Sequence, residues 1–250
     1  MPGDCVARES RKAAAATAAR QAIVAASIAD SRRLPGDHDQ DSWRRPVAVL
    51  DFLGVTPTMQ VLDFIAGGGY YTELLARIVG EHGGVIAYNT PQSREFVSAE
   101  LRERRAGDRL PNVDWLIATR NDLYLNIDSI DAALFVTVYH DFYLPGPGGT
   151  PPPDPLPILA LVKRALRPGG VVVVQDHVAD PGGDPAVVAA TLHRIDPAIV
   201  RRDFEAAGFV FDAESNALRN PGDDHTRKVF EPGVRHRTDQ FLFRFRKPAR

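Results

Sequence analysis

Residues 61–71 read VLDFIAGGGYY, and this stretch decides the fold class. An apolar run at residues 61–65 ends close to three glycines, residues 67–69, and a helical pattern of apolar side chains follows over residues 74–79. A strand that passes through glycines into a helix is typical of the first unit of a doubly wound α/β sheet. Glycine lets the chain turn tightly there, and a ligand can approach the backbone without meeting a Cβ atom.

Strand and helix patterns alternate through the rest of the chain. Further strands are predicted at residues 84–89, 113–118, 130–139, 171–175, 209–211 and 240–245, and helices at residues 43–53, 96–101, 158–166 and 196–207. The alternation predicts a Rossmann-like, doubly wound, mostly parallel α/β sheet of seven strands with helices on both faces. Because only a polar loop joins the last two strands, we expect them to pair antiparallel.

The domain organisation follows from the position of the first strand. Residues 1–55 form a predicted helical lead-in packed on the core, with a loop at residues 31–41, and residues 56–250 form the ligand-binding domain. We interpret the apolar residues 22–29 as a helix face, with a degenerate export signal as the alternative. The proline-rich residues 145–157 cannot form regular structure, and we expect them to cross over a substrate pocket.

Composition limits the partners. The formal net charge of −2 over 250 residues argues against a dedicated nucleic-acid binder, and no apolar run is long enough to span a membrane. We interpret the arginines within residues 102–105 as a solvated face. The single cysteine, Cys5, permits no internal disulfide and fits a reducing compartment. We therefore expect a cytoplasmic protein that binds neither nucleic acid nor membranes. The composition does not fix its oligomeric state.

The glycine turn does not match two common nucleotide motifs. The dinucleotide pattern G-x-G-x-x-G that starts at Gly67 would need its third glycine at Thr72, and no lysine follows the glycines as in a phosphate loop. Asp63 would repel a pyrophosphate, but its carboxylate can accept hydrogen bonds from an ammonium group or from backbone amides.

The turn resembles motif I of class I S-adenosylmethionine (SAM)-dependent methyltransferases, D-x-G-x-G-x-G, with Asp63, Gly67 and Gly69 in register and Ile65 in place of the first glycine. Other segments, among them VYHDFY, ALRPGGVVVVQDHVAD and LHRID, resemble a bacterial family of predicted methyltransferases of uncharacterised acceptor. The resemblance covers roughly residues 20–247. It implies SAM as the cofactor.

The resemblance also implies cofactor-binding positions. Those in and around the turn are Asp63, Ala66, Gly67, Gly68 and Gly69, of which the glycines would face the methionine part of SAM. Asn89 ends the second strand, where the family usually has an acid for the ribose hydroxyls. Asn121 and Asp122 lie where such enzymes contact the adenine, although a capping turn would explain the same pair.

Acceptor-side candidates follow the fourth and fifth strands. His140 is the predicted general base and Asp141 its orienting partner, and a packed strand-end histidine is the alternative for His140. Asp176-His177 and His193-Arg194 could join them in a metal site or in a polar network. No metal is predicted, because no cluster has tight ligand spacing. Aromatic walls for the acceptor pocket could come from Tyr70, Tyr71, Tyr139, Phe142 and Tyr143.

Three functions fit these observations. The leading hypothesis is a SAM-dependent methyltransferase that acts on a small-molecule acceptor. A non-catalytic protein that binds SAM or S-adenosylhomocysteine is the first alternative, suggested by Ile65 and Asn89. A Rossmann-type NAD(P) oxidoreductase is the second alternative, which the failed glycine spacing disfavours.

Overall fold

The computed structural model of the chain describes residues 2–146, 148 and 150–249, without the side chains of residues 2–7 and 9. The expectations about the Cys5 thiol, about residues 147 and 149 of the proline-rich stretch and about residue 250 lie outside the described residues.

A seven-stranded sheet forms the centre of the molecule. Its strands are β1 (Gln60–Phe64), β2 (Gly84–Asn89), β3 (Val113–Ile117), β4 (Ile130–Val136), β5 (Leu166–His177), β6 (Val210–Ser215) and β7 (Gln240–Arg246). They lie in the order β3-β2-β1-β4-β5-β7-β6. The first five strands are parallel, and β7 runs antiparallel to both β5 and β6. The predicted fold class, including the antiparallel final strand, is confirmed.

Helices cover both faces of the sheet. They are α1 (Pro2–Ala29), α2 (Pro35–Arg44), α3 (Pro46–Leu53), α4 (Tyr70–Val79), α5 (Pro91–Phe96), α6 (Ser98–Arg105), α7 (Leu156–Ala165), α8 (Pro185–Leu192) and α9 (Pro197–Ala206). The Asp196 side chain accepts the Ala198 N–H at 2.8 Å, so this residue caps α9 as predicted. Within the described part of the chain, no helix is long and apolar enough to cross a bilayer.

Several element boundaries differ from the prediction. The expected loop at residues 31–41 is wrong, because α2 begins at Pro35. The expected helix at residues 43–53 is two helices, since Arg45 adopts a left-handed conformation (φ 47°) before Pro46. Strand β5 starts at Leu166, earlier than the strand predicted at residues 171–175. Helix α8 was not predicted.

Two buried clusters lie on opposite faces of the sheet. One cluster joins β1 and β4 to α7 and α9, with Leu62, Phe135 and Phe204 fully buried. The other joins α4 to the lead-in helices, where Leu50 packs in the same cluster as Leu74. The lead-in thus contributes directly to the core, and it reaches the edge of the sheet where the strands β1, β2, β4 and β5 end.

Candidate active site

The glycine turn links β1 to α4 at this edge. Gly67 (φ 57°) and Gly69 (φ 82°) both use the left-handed region of backbone space. Ile65 also adopts it (φ 54°), although a β-branched side chain disfavours this conformation. The loop therefore keeps a glycine-like conformation at the position where the motif has its first glycine. Backbone strain of this kind costs about 1–3 kcal/mol and tends to lie at functional sites.

Asn89 holds the turn in place. Its Oδ1 accepts the Gly67 N–H at 3.0 Å, and its Nδ2 donates to the Gly67 carbonyl at 3.1 Å. The side chain is 1% exposed. An amide can form this pair because it carries one acceptor and one donor, whereas a carboxylate can only accept. The structure thus shows Asn89 as a brace for Gly67, and its contact with a ribose stays a prediction.

Asp63 lies buried behind the turn. Its carboxylate accepts a hydrogen bond from the Thr72 hydroxyl at 2.6 Å. Burial raises the pKa of Asp63 to about 6, and the hydrogen bond and the nearby Arg44 and Arg104 oppose that rise. The carboxyl group is therefore easily protonated in mild acid, and a cation beside it would favour the charged form.

A buried ion network covers one side of the turn. Arg104 on α6 donates from Nε to the Gly68 carbonyl at 2.7 Å, and its other nitrogens pair with Asp37 at 2.8 Å and with Glu73. Arg104 is 2% exposed, so the interpretation of residues 102–105 as a solvated face is wrong at this position. The sequence carries no local signal for the network, because its members come from α2, α4 and α6.

A cavity of about 600 Å³ opens at the turn. Among its described lining residues are Asp63, Ala66, Gly67, Gly68, Tyr70 and Tyr71, together with residues of α2, α5, α6 and the end of β4. A Cβ atom on Gly67 would meet nothing within 4 Å, so this residue faces open space. Four carboxylates (Asp37, Asp63, Glu100 and Glu103) and two guanidinium groups (Arg44 and Arg104) line the cavity, and this balance suits a ligand with positive charge.

A second cavity of about 200 Å³ adjoins the first. Both cavities are lined by Arg44, Val136, Thr137 and Phe230, so they meet at the end of β4. The side chains specific to the second cavity are Trp43, Gln175, His177, Val229, Arg235, His236 and Gln240. The sequence predicts no role for most of these residues, because they come from distant parts of the chain.

Successive side chains along β5 point to opposite faces of the sheet, so the last side chains of this strand contact different sites. Gln175 and His177 line the second cavity, whereas the fully buried Asp176 points to His140. The two Nδ1–carboxylate distances from His140 to Asp176 are 2.9 and 3.1 Å. Burial alone would lower the pKa of His140, but the charge and hydrogen bond of Asp176, together with the charge of Asp141, outweigh burial and raise that pKa.

Most of the remaining predicted residues do not line the cavities. Neither His140 nor Asp141 is among the described residues that line them, and both begin a short 3-10 helix (His140–Tyr143) beyond β4. Asn121 and Asp122 are exposed, and the Asp122 carboxylate accepts the Thr119 hydroxyl at 2.5 Å in a turn. Of the predicted aromatic walls, Tyr70 and Tyr71 line the first cavity, whereas Tyr139, Phe142 and Tyr143 belong to the core or pack against it.

Comparison with known proteins finds a matching family. Residues 62–174 match a family described as "Methyltransferase domain", and this match spans the glycine turn and strands β2 to β4. This part of the chain is therefore similar to SAM-dependent methyltransferases. A 2-phytyl-1,4-naphtoquinone methyltransferase from Synechococcus elongatus is 29% identical over 134 residues. The alignment covers 54% of this chain and 52% of that protein, so the chain spans about half the length of the curated relative that it matches.

Solved structures share the methyltransferase fold. A SAM-dependent methyltransferase from Aquifex aeolicus superposes with a TM-score of 0.55 at 20% identity, over 80% of this chain and 87% of that one. The [4+2]-cyclase SpnF superposes with a TM-score of 0.58 at 17% identity, over 84% and 83% of the two chains. One fold therefore accommodates different reactions, and the chemistry of this chain must be inferred from the residues of its site.

The cavity at the turn fits SAM, the cofactor of this family. Gly67 faces open space, and a volume of about 600 Å³ lies within the range of cofactor pockets. Asp63 supplies a buried carboxyl group at the back of the cavity, and the acidic lining suits the positive charges of SAM.

Proposed function

We propose that the chain transfers a methyl group from SAM, held in the first cavity, to a small molecule held in the second. The observation that carries this proposal is the shared wall at the end of β4, where Val136, Thr137 and Phe230 line both cavities. Methyl transfer needs donor and acceptor side by side with water excluded, and adjoining cavities provide that arrangement.

Residues of the turn hold the donor in this proposal. Bound SAM supplies an electrophilic methyl group on a sulfonium sulfur. Ala66, Gly67 and Gly68 line its methionine part, while Asp63 faces its positive charge. Gly69 does not line the cavity and is covered by the Arg104 side chain. Asn89 acts indirectly, because its two hydrogen bonds fix Gly67. Asn121 and Asp122 remain the residues proposed for the adenine.

The second cavity selects the acceptor. Its volume of about 200 Å³ admits a small ring. Trp43 and Phe230 offer apolar faces, and Gln175 offers a hydrogen-bond acceptor, since its buried Oε1 has no partner within the described chain. An unpaired buried carbonyl costs about 1–3 kcal/mol, and a ligand O–H or N–H would remove that cost. The acceptor is therefore a small cyclic molecule with such a donor group.

His177 is placed to handle the proton of that group. Burial lowers the pKa of His177 to about 4, so its ring is neutral at pH 7 and can accept a hydrogen bond. Its Nδ1 lies 2.8 Å from the Thr238 hydroxyl, which orients the ring. His140 and Asp141 act at the neighbouring edge, where the ring centroids of His140 and His177 are 6.3 Å apart. The name of the curated relative specifies a naphthoquinone that carries a phytyl chain, and this supports a small-molecule acceptor that contains a ring.

Titration calorimetry with SAM, S-adenosylhomocysteine and NAD(H) tests the cofactor assignment. Micromolar binding of the first two compounds and none of NAD(H) is the expected result. Binding of NAD(H) alone would overturn the assignment and favour an oxidoreductase.

Methyl-tritiated SAM tests the transfer step. The full-length chain, incubated with labelled SAM and a deproteinised bacterial extract, should place label in the small-molecule fraction. Gln175→Leu should bind SAM normally but transfer less label, and the exposed Val187→Ala should behave like the wild type. Label found only in added nucleic acid or protein would contradict a small acceptor, and SAM binding without any transfer would indicate a non-catalytic binder.

A further inference from the structure

Three potential metal ligands converge beside the acceptor edge. His140 and Asp141 start the 3-10 helix after β4, and His193 follows the end of α8. One nitrogen or oxygen atom from each of these side chains lies within 4.8 Å of the others. The two segments are far apart in the sequence, which explains why ligand spacing along the chain predicts no metal here.

The His140 ring is oriented as a metal-binding histidine usually is. Its Nδ1 is held by Asp176 at 2.9 Å, and Asp176 also accepts the backbone N–H groups of His140 at 3.0 Å and of His177 at 2.8 Å. Asp176 is completely buried, so its position is fixed. A carboxylate on one ring nitrogen commonly fixes the other nitrogen as the metal ligand. Here that other nitrogen is Nε2, on the side of Asp141 and His193.

The spacing of the first two ligands suits a tetrahedral ion. Nε2 of His140 lies 3.3 Å from Oδ1 of Asp141. Two ligands bonded to zinc at about 2.0–2.1 Å in a tetrahedron are themselves about 3.3 Å apart. The separation of these two atoms therefore already suits a shared ion, and the His193 ligand atom lies within 4.8 Å of both.

His193 is held in an unusual conformation. It follows α8 with φ 53°, at a position where helices commonly have glycine. Its ring centroid lies 5.4 Å from that of His140, at an interplanar angle of 75°. A histidine kept in the left-handed region costs about 1–3 kcal/mol, and that cost is consistent with a functional position for its side chain.

We propose that His140, Asp141 and His193 bind one divalent transition-metal ion of the zinc type. Two imidazoles and one carboxylate are a common ligand set for such ions and leave a coordination position open. The Phe230 ring, 4.9 Å from the His193 ring, lines both cavities, so the ion lies one side chain away from the acceptor. An ion in this place would hold the His193 ring, and through it Phe230, in the wall of the acceptor cavity. This role rests on the proposed function, whereas metal binding itself does not.

Metal binding is measured on the full chain after dialysis against a chelator, without SAM or acceptor. Titration with Zn²⁺ and with Co²⁺, whose visible spectrum reports tetrahedral coordination, should give one ion per chain. Zn²⁺ should also raise the unfolding midpoint. His193→Asn, chosen because asparagine tolerates positive φ, and Asp176→Asn should each weaken binding about 10–100-fold. The exposed His82→Asn, which makes the same change elsewhere, should leave affinity unchanged.

Equal zinc affinity in the wild type and in His193→Asn would overturn the proposal, because it would show an adventitious surface ion only. Substoichiometric binding to folded wild-type protein would overturn it as well. SAM titration of the same metal-free samples separates the two ideas. Absence of metal binding in folded wild-type protein that still binds SAM refutes the ion site alone, and absence of SAM binding in folded wild-type protein refutes the proposed cofactor site.

Discussion

Replacement of Asn89 by aspartate tests how the glycine turn is held. The resemblance to methyltransferases with an acid at the end of β2 would predict that Asn89→Asp improves SAM binding. The structure predicts the opposite. The new carboxylate can still accept the Gly67 N–H, but the Nδ2 donor to the Gly67 carbonyl is lost, and an oxygen takes its place about 3.1 Å from that carbonyl.

Two routes bound the size of the effect. If the new side chain stays ionised, the buried carbonyl loses its partner, which costs about 1–3 kcal/mol, and repulsion between the oxygens adds to this cost. If it takes up a proton to restore the donor, the free-energy cost at pH 7 is about 4 kcal/mol. This is because pH 7 lies about three units above the usual aspartate pKa, and each unit costs about 1.4 kcal/mol. The chain follows the cheaper route, so we expect a loss of about 2–4 kcal/mol at pH 7. At pH 5 protonation costs only about 1.5 kcal/mol, so the loss becomes smaller there by the second route.

Urea unfolding at pH 7 and pH 5 and SAM calorimetry measure this effect. A loss of that size lowers the melting temperature of a chain of this length by roughly 4–12 °C. The matched control is Asn126→Asp, the same chemical change at an exposed position with no proposed role, which should change stability by less than about 0.5 kcal/mol. If Asn89→Asp is as stable as the wild type and binds SAM more tightly, Asn89 is not the brace described here.

Three further variants test the neighbouring contacts. Calorimetry from pH 5 to 7.5 should show that SAM affinity increases with pH, by up to about tenfold per pH unit below pH 6, because the Asp63 carboxyl group (pKa about 6) must lose its proton to face a cation. Asp63→Asn should flatten this profile. A steep profile in that variant would assign the titration to another group. Gly67→Val should abolish SAM binding and lower stability by about 1–3 kcal/mol through backbone strain. The control Gly54→Val, at a glycine that also has positive φ and open space around it, should lower stability by as much and leave SAM binding unchanged. Normal SAM binding by Gly67→Val would show that the cofactor does not bind at this turn. Arg104→Met should cost about 3–5 kcal/mol in urea unfolding because it leaves the buried Asp37 carboxylate without its ion-pair partner, although Glu73 keeps Arg77 and Arg109. The exposed Arg105→Met should cost little, and equal losses would show that the network contributes nothing specific.

The sheet could be predicted because its signals are local. Runs of β-branched residues such as those in β5, glycines after β1 and the Asp196 cap each act within a few residues. Helix α2 could not be predicted, since its sequence PGDHDQDSWR is polar and its buried Asp37 is stabilised by Arg104, 67 residues away. Contacts over such distances leave no periodic pattern.

The candidate site also has one part that the sequence predicts and one part that it does not. The first cavity follows from the motif, because Asp63 and the glycines lie within seven residues. The second cavity brings together Trp43, His177 and Phe230, and only the folded chain shows that they are neighbours. His140 was found from its place after β4, but its partner Asp176 became evident only from the alternation along β5.

The position of β7 inside the sheet constrains how the chain is assembled during translation. Strand β6 pairs with β7 and not with β5, so β6 has no place in the sheet until β7 has been synthesised. Until then the β5 edge offers unpaired N–H and C=O groups that another chain could bind. A nascent chain stalled between residues 215 and 240 would therefore be prone to aggregation, although its glycine turn would already be complete.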